Sequence, residues 1–272
     1  MANFHSDEWI MAKVQEHYDE ALKYFPEDRI VGIFAQGSPN YGLDYEDSDV
    51  DTKLIVLPTF EEICFNKKPH STTHVCANDE HIDFKDLRLM LQTFRKQNLN
   101  FVEILFTPYK IVNPKYATHW ETLVKNNELI ARYNPYGAVK TMKGIAMEKF
   151  HAMEHEYPSK VDVLAEWGYD PKQLHHLFRV EEYLERYIDG EPYAQCLHSR
   201  QADWLVDVKR GLYDLEKARE MAKTSLEHVV AMEKEFCETH EPTADPQVEF
   251  LLDETQRNIM WTAMCDYFTN FE

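Results

Sequence analysis

Asp49 and Asp51 are separated by a single residue, Val50, at the head of the run Asp51–Leu57 (DTKLIVL). On an extended strand alternate residues share a face, so the two carboxylates lie side by side with Val50 turned away. Adjacent carboxylates repel unless a cation neutralises them. Oxygen-only ligation of this kind suits Mg²⁺, or Mn²⁺ in its place, which takes one or two carboxylates together with substrate phosphates. A third carboxylate, Asp83, stands in His81-Ile82-Asp83-Phe84; Asp79 and Asp86 are alternatives for that place. Three such groups hold two metal ions, one lowering the pKa of an attacking hydroxyl and one steadying a leaving pyrophosphate. Upstream, Gly37-Ser38 closes another apolar run. Glycine lets backbone approach a nucleotide closely, and serine offers a hydroxyl and an N–H to phosphate oxygens.

Positioning these groups takes strands and a turn. Arg29–Ala35 (RIVGIFA) reads as a buried strand entering the Gly37-Ser38-Pro39 turn, and Asp51–Leu57 as a second, closed by Pro58. Thr59 with Glu62 three residues on has the pattern of a capping box. Thr73–Ala77 and His81–Lys85 flank Asn78-Asp79 as a hairpin that carries Asp83. Helical spacing runs through 4–24 and restarts at Leu87. Beyond about residue 114 strand signals stop, and helical periodicity covers 139–153, 171–188, 200–210, 214–237 and 246–270. The expected class is α+β: strands and helices over 1–125, then an α-helical domain over 126–272, with a soft boundary near 125–140.

Composition narrows the partners. Asp and Glu number 48 against 29 Lys and Arg, a formal charge of −19, and both halves of the chain are acidic. Duplex DNA is therefore a poor partner, because sequence-blind affinity comes from Lys and Arg on phosphates. No apolar run reaches the roughly 18 residues of a membrane helix. The acidic start, Met-Ala-Asn-Phe-His-Ser-Asp-Glu, lacks the basic and apolar stretches of a signal peptide. The 5 cysteines include no CxxC and suit reduced thiols, so the expected compartment is the cytoplasm. Cys64, His70, His74 and Cys76 are zinc-type ligands whose spacing fits no common zinc module.

The stretch GSPNYGLDYEDSDVDTKLIV, from Gly37 to Val56, resembles the DNA polymerase β-like nucleotidyltransferase superfamily. More narrowly it is similar to predicted nucleotidyltransferases found beside RNA ligases, which share Tyr-Gly-Leu after Gly-Ser and a closing Ser-Asp-x-Asp. The likeness continues through Asp86-Leu87-Arg88 and Asn98–Phe106, and more loosely to Gly168–Arg179 and Arg210–Tyr213. It implies that the strands form a mixed sheet with flanking helices. It further implies metal-dependent transfer of a nucleoside monophosphate from an NTP, ATP being the expected one, to an acceptor hydroxyl, with pyrophosphate released. Asp49, Asp51 and Asp83 are then the metal ligands, and Asp83 is also the base nearest the acceptor. Gly37 and Ser38 meet the phosphates. Tyr41 is open to two uses, stacking on a base or ribose, or packing in the core.

The resemblance also implies a helical domain that closes over the nucleotide. Lys172, His175, His176 and Arg179 fall at i, i+3, i+4 and i+7, one helix face. Lys172 and Arg179 would reach the triphosphate, and His176 or its neighbour the base, ribose or phosphate; the other reading is a basic stripe at an interface or in solvent. Asp44, Glu46 and Asp47 read as a solvated loop rather than extra ligands. The acceptor is an RNA end, a protein side chain or a small molecule, the association with RNA ligases favouring RNA repair. The alternative is a non-catalytic nucleotide-binding protein, regulatory or interacting, of a toxin–antitoxin or RNA-repair system.

Overall fold

A computed structural model describes residues 3–269. In chain order the elements are α1 (Asp7–Ala21), β1 (Ile30–Gln36), the single turn α2 (Ser38–Tyr41), β2 (Asp51–Val56), α3 (Phe60–Cys64), β3 (Ser71–Val75), β4 (His81–Asp86), α4 (Leu87–Arg95), α5 (Leu99–Val102), β5 (Lys110–Val112), α6 (Ala117–Lys125) and α7 (Asn127–Ala131). Then follow α8 (Pro135–Ala152), α9 (Val161–Trp167), α10 (Pro171–Ile188), α11 (Tyr193–Leu197), α12 (Ala202–Lys209), α13 (Leu215–Thr239) and α14 (Pro246–Thr269). The class is α+β.

The strands form one mixed sheet in the order β3-β4-β2-β1-β5. β1 is antiparallel to β2 and β5, β2 is parallel to β4, and β4 is antiparallel to β3. Side-chain alternation divides the sheet into two faces. Ile33, Ala35, Leu54, Val56, Ile82 and Phe84 pack with Ile10, Val14 and Ala21 of α1. The opposite face carries Phe34, which lies 4.5 Å from Trp120 of α6, and with it Asp51, Lys53 and Asp83. Gly32 keeps β5 close to β1: a Cβ there would come within 2.9 Å of the Ile111 carbonyl oxygen.

Local signals set the element ends. Ser6 caps α1 by accepting from the Trp9 N–H. Thr59 and Glu62 form a complete capping box on α3. Asp86 ends β4 and caps α4 in one residue, accepting from the Arg88 N–H and its guanidinium.

Two compact units emerge: a sheet unit of residues 3–40, 44–134 and 244–269, and a helical unit of 41–43 and 135–243. Residues 244–269 belong to the sheet unit although they follow the helical one in the chain. The reason is α14, which packs on α4 and α6 of the sheet unit. Its Val248, Leu252 and Ile259 are buried at helical spacing. Arg95 of α4 bonds Glu249 at 2.8 Å and Asp253 at 2.6 Å, and the Tyr133 hydroxyl donates to Glu249 at 2.6 Å.

In the helical unit α8, α10 and α13 pack together. Asp170 caps α10 ahead of Pro171, and Leu174, Leu177, Val180 and Leu184 are fully buried. Glu181 of α10 accepts from Ser225 and pairs with His228, both on α13. No helix among the described residues is long and apolar enough to cross a membrane.

Candidate active site

The turn after β1 has the left-handed backbone that glycine tolerates: Gly37 has φ +82°, and nothing lies within 4 Å of where a Cβ would stand. Asn40 fastens the turn, donating to the Ala35 carbonyl at 2.8 Å and accepting from the Thr107 hydroxyl at 2.6 Å. Glu103, buried at the end of α5, accepts from the Gly37 N–H at 3.3 Å and from the Asn40 amide at 3.4 Å. The Gly37 N–H is thus already engaged by Glu103, and any anion on this turn would have to displace that carboxylate. The Ser38 side chain is half-buried.

Asp49, just ahead of β2, and Asp51, its first residue, are held through Val50 between them. Val50 is buried, and its N–H donates to Glu80 Oε1 at 3.4 Å. Glu80 in turn meets His17 Nε2 at 3.1 Å, while His17 Nδ1 meets the Thr52 hydroxyl at 2.9 Å. Asp49 is exposed beside this anchored residue. Asp51 Oδ1 accepts from the His81 N–H at 2.9 Å, with His81 Nδ1 3.3 Å away.

Asp83 stands one strand over, in register with Lys53 rather than with Asp51. Lys53 Nζ lies 3.2 Å from Asp83 Oδ2, and Thr73 donates to Asp83 Oδ1 at 2.6 Å. The same ammonium donates to Gln36 Oε1 and sits 4.1 Å from the centre of the Phe101 ring. Burial raises the Asp83 carboxyl, but the Lys53 charge and the Thr73 hydroxyl outweigh it and hold the group below the usual carboxylate range. Lys85 lies 4.8 Å from the same ring and donates to Ser71 at 3.1 Å; burial and the nearby Lys53 lower its pKa. A cavity of about 230 Å³ opens beside this pair, lined by Ser71, Thr72, Thr73, Asp83, Phe84 and Lys85.

The expected triad is thus divided. Among the described residues no three His, Cys, Asp or Glu side chains are grouped to hold a metal ion. Asp51 opens β2 and Asp49 lies just ahead of it, outside the strand, so the alternation expected of the pair is not carried by strand structure; the two keep the oxygen-only donor set that suits one hard cation. Asp83 has both oxygens engaged, one by an ammonium. Neither alternative replaces it: Asp79 is exposed in the hairpin turn at φ +65°, and Asp86 is the buried cap bound to Arg88. Asp44 departs from the solvated-loop expectation. It is buried and accepts from the His5 N–H at 2.8 Å, with the His5 ring 3.0 Å away, so it pins the spacer; Glu46 and Asp47 are exposed.

The helical unit holds the other expected residues. Arg179 is buried, with its guanidinium 4.0 Å from the centre of the buried Tyr41 ring, a cation–π contact. Its Nε and Nη1 have no hydrogen-bond partner among the described residues. Tyr41 thus packs beneath Arg179. Lys172 is exposed at the start of α10. His175 is buried and donates from Nδ1 to the Leu205 carbonyl at 2.7 Å; burial pushes its pKa down to about 3. The half-buried His176 is also held well below its usual range, by desolvation first and then by His175 and Arg179. One face at i to i+7 therefore splits into an exposed lysine, a structural histidine, and an arginine on an aromatic ring.

Lys53, Glu80 and His17 are not singled out by the sequence, and Glu103 enters there only as the acidic residue of the Asn98–Phe106 likeness, without a role. Lys53 was the legible one, because a residue two places after Asp51 shares its face. Glu103 and Glu80 reach the site from distant segments.

No family model matches the chain, and no curated protein matches it. Among solved structures it is similar to a nucleotidyltransferase-like protein from Exiguobacterium sibiricum 255-15, at 13% identity, covering 83% of this chain and 75% of that one, with a TM-score of 0.30.

Proposed function

We propose that this chain is a nucleotidyltransferase that moves a nucleoside monophosphate from an NTP to an acceptor hydroxyl. The observation that supports the reading is the register Gln36↔Asp51, which brings the Gly37-Ser38 turn at the end of β1 next to Asp51 at the start of β2, two residues after Asp49. In the proposed reaction the acceptor oxygen forms a bond to the α-phosphorus. The α–β phosphoanhydride bond breaks, and pyrophosphate leaves with its electron pair. Asp49 and Asp51 would hold Mg²⁺ or Mn²⁺, which supplies charge neutralisation for the phosphates when bound. The Ser38 hydroxyl and the turn N–H groups orient phosphate oxygens. Glu80 holds Val50, and so fixes the spacing of the two carboxylates.

Asp83 in its present pairing is a weak base, since the Lys53 charge favours its ionised form. As the acceptor's base it requires Lys53 to withdraw; otherwise the hydroxyl proton passes to solvent. The acceptors proposed are an RNA end, a protein side chain or a small molecule, with ATP the first donor to try.

A second reading, a nucleotide-binding protein without catalysis, is favoured by the same Lys53–Asp83 pair, which removes one carboxylate from the expected set. The deciding experiment measures pyrophosphate release from each of the four NTPs with Mg²⁺ or Mn²⁺. Cellular RNA and protein extract serve as acceptors, and wild type is compared with Asp49→Asn/Asp51→Asn. Release with one nucleotide that falls to background in the double variant establishes transfer, and the labelled acceptor names the substrate. Metal-dependent NTP binding without release selects the second reading. Absence of both overturns the site.

A further inference from the structure

Lys53 is an ammonium built into a buried position: its side chain is 3% exposed, in the middle of a strand, two residues after a carboxylate. A buried lysine is costly unless its charge is met and its protons are placed. Here the charge is met by Asp83 at 3.2 Å, one proton goes to Gln36 Oε1, and the Phe101 ring faces the ammonium at 4.1 Å. Strand register imposes the match, since Lys53 and Asp83 are direct neighbours in the β2–β4 pair. Thr73 occupies the other oxygen of Asp83. A second ammonium, Lys85, shares the Phe101 ring at 4.8 Å. A divalent cation at Asp83 would therefore meet two fixed positive charges and a carboxylate already neutralised. Asp49, by contrast, is exposed and has no ion pair with a lysine or arginine among the described residues.

We infer that the site takes one divalent cation, on Asp49 and Asp51, and that Lys53 permanently meets the charge of Asp83 that a second cation would otherwise meet. The inference rests on the nucleotidyltransferase reading and sharpens it. Lys53 acts on Asp83 and is a positioning residue. Lys53 and Thr73 hold both Asp83 oxygens without a metal, so the chemistry needs only the cation that accompanies the nucleotide.

The test is a count. Bound Mn²⁺ per chain is measured by equilibrium dialysis with electron paramagnetic resonance readout, at saturating ATP analogue whose α–β bridging oxygen is a methylene. The expected counts are one for wild type, none for Asp49→Asn/Asp51→Asn, and two for Lys53→Met. Because Lys53→Met strands Asp83 and is liable to unfold, Lys53→Met/Asp83→Asn is run beside it, with one expected. Two ions in wild type, or one in a folded Lys53→Met, overturn the inference and leave the nucleotidyltransferase reading standing. No Mn²⁺ in wild type with the analogue bound overturns that reading and the inference with it.

Discussion

Asp83 and Lys53 form a pair whose effect on stability can be read residue by residue. Removing the lysine leaves a partly buried carboxylate without its cation, so Lys53→Met should cost about 3 kcal/mol, the low end for a broken buried pair because Asp83 keeps some solvent. Lys53→Met/Asp83→Asn should recover most of that loss, as a urea-unfolding double-mutant cycle would report. The pH dependence has a definite sign. A carboxyl whose folded pKa lies below its unfolded value contributes stability that is complete above the ordinary carboxylate range and is lost as pH falls through and below it. Between pH 6 and 3, wild type should therefore lose more stability than Asp83→Asn, measured as urea midpoints. At Gly37 the cost of a side chain is backbone strain alone, because φ is +82° and the space is open. Gly37→Ala should destabilise by about 1–2 kcal/mol, and a crystal structure should show the turn displaced.

At the scale of elements, α10 carries a pH response of its own. His175 is buried neutral with its pKa pushed down to about 3, so the unfolded chain binds its proton more readily between that value and the usual range near 6.5. Stability from this histidine is complete above about pH 6.5 and drains as pH falls toward 3. Denaturant midpoints at pH 7.5 and 5.0 should differ less in His175→Asn, which keeps a donor for the Leu205 carbonyl; no change in that difference would reject the assignment. The elements that were legible in the sequence were those with local signals: α10 between Pro171 and Ile188, the Thr59–Glu62 box, the β3–β4 hairpin, and the two strands around Gly37 and Asp51. β5 was not, because three residues give too short a run to show a period. Asp44 read as loop since nothing nearby in sequence announces His5 as its partner, 39 positions away. The pairing of Asp83 with Lys53 depends on strand register, which alternation alone leaves open.

The whole molecule depends on its last described helix. α14 buries Val248, Leu252 and Ile259 and receives two bonds from Arg95, so it belongs to the sheet although the helical unit intervenes in the chain. Leu252→Ala should cost about 2–5 kcal/mol by urea unfolding. A chain ending at residue 243 should fail to show a cooperative unfolding transition by circular dichroism; retention of that transition would mean that the strands and α4 fold without α14. Helical periodicity announced α14 but said nothing of which surface it covers, because that is fixed by Arg95 and Tyr133, more than a hundred positions away.

The place where α14 rejoins the sheet unit is marked by one bond, from the Asp245 N–H to the Tyr133 carbonyl at 2.9 Å. It brings the two ends of a long excursion together, and it gives the nascent chain a schedule. A ribosome adds about 5–20 residues per second. Every strand has therefore been synthesised several seconds before Arg95 can find Glu249. Through that interval the surfaces of α4 and α6 that α14 will cover stand open, and a chaperone that shields apolar surface has its substrate there.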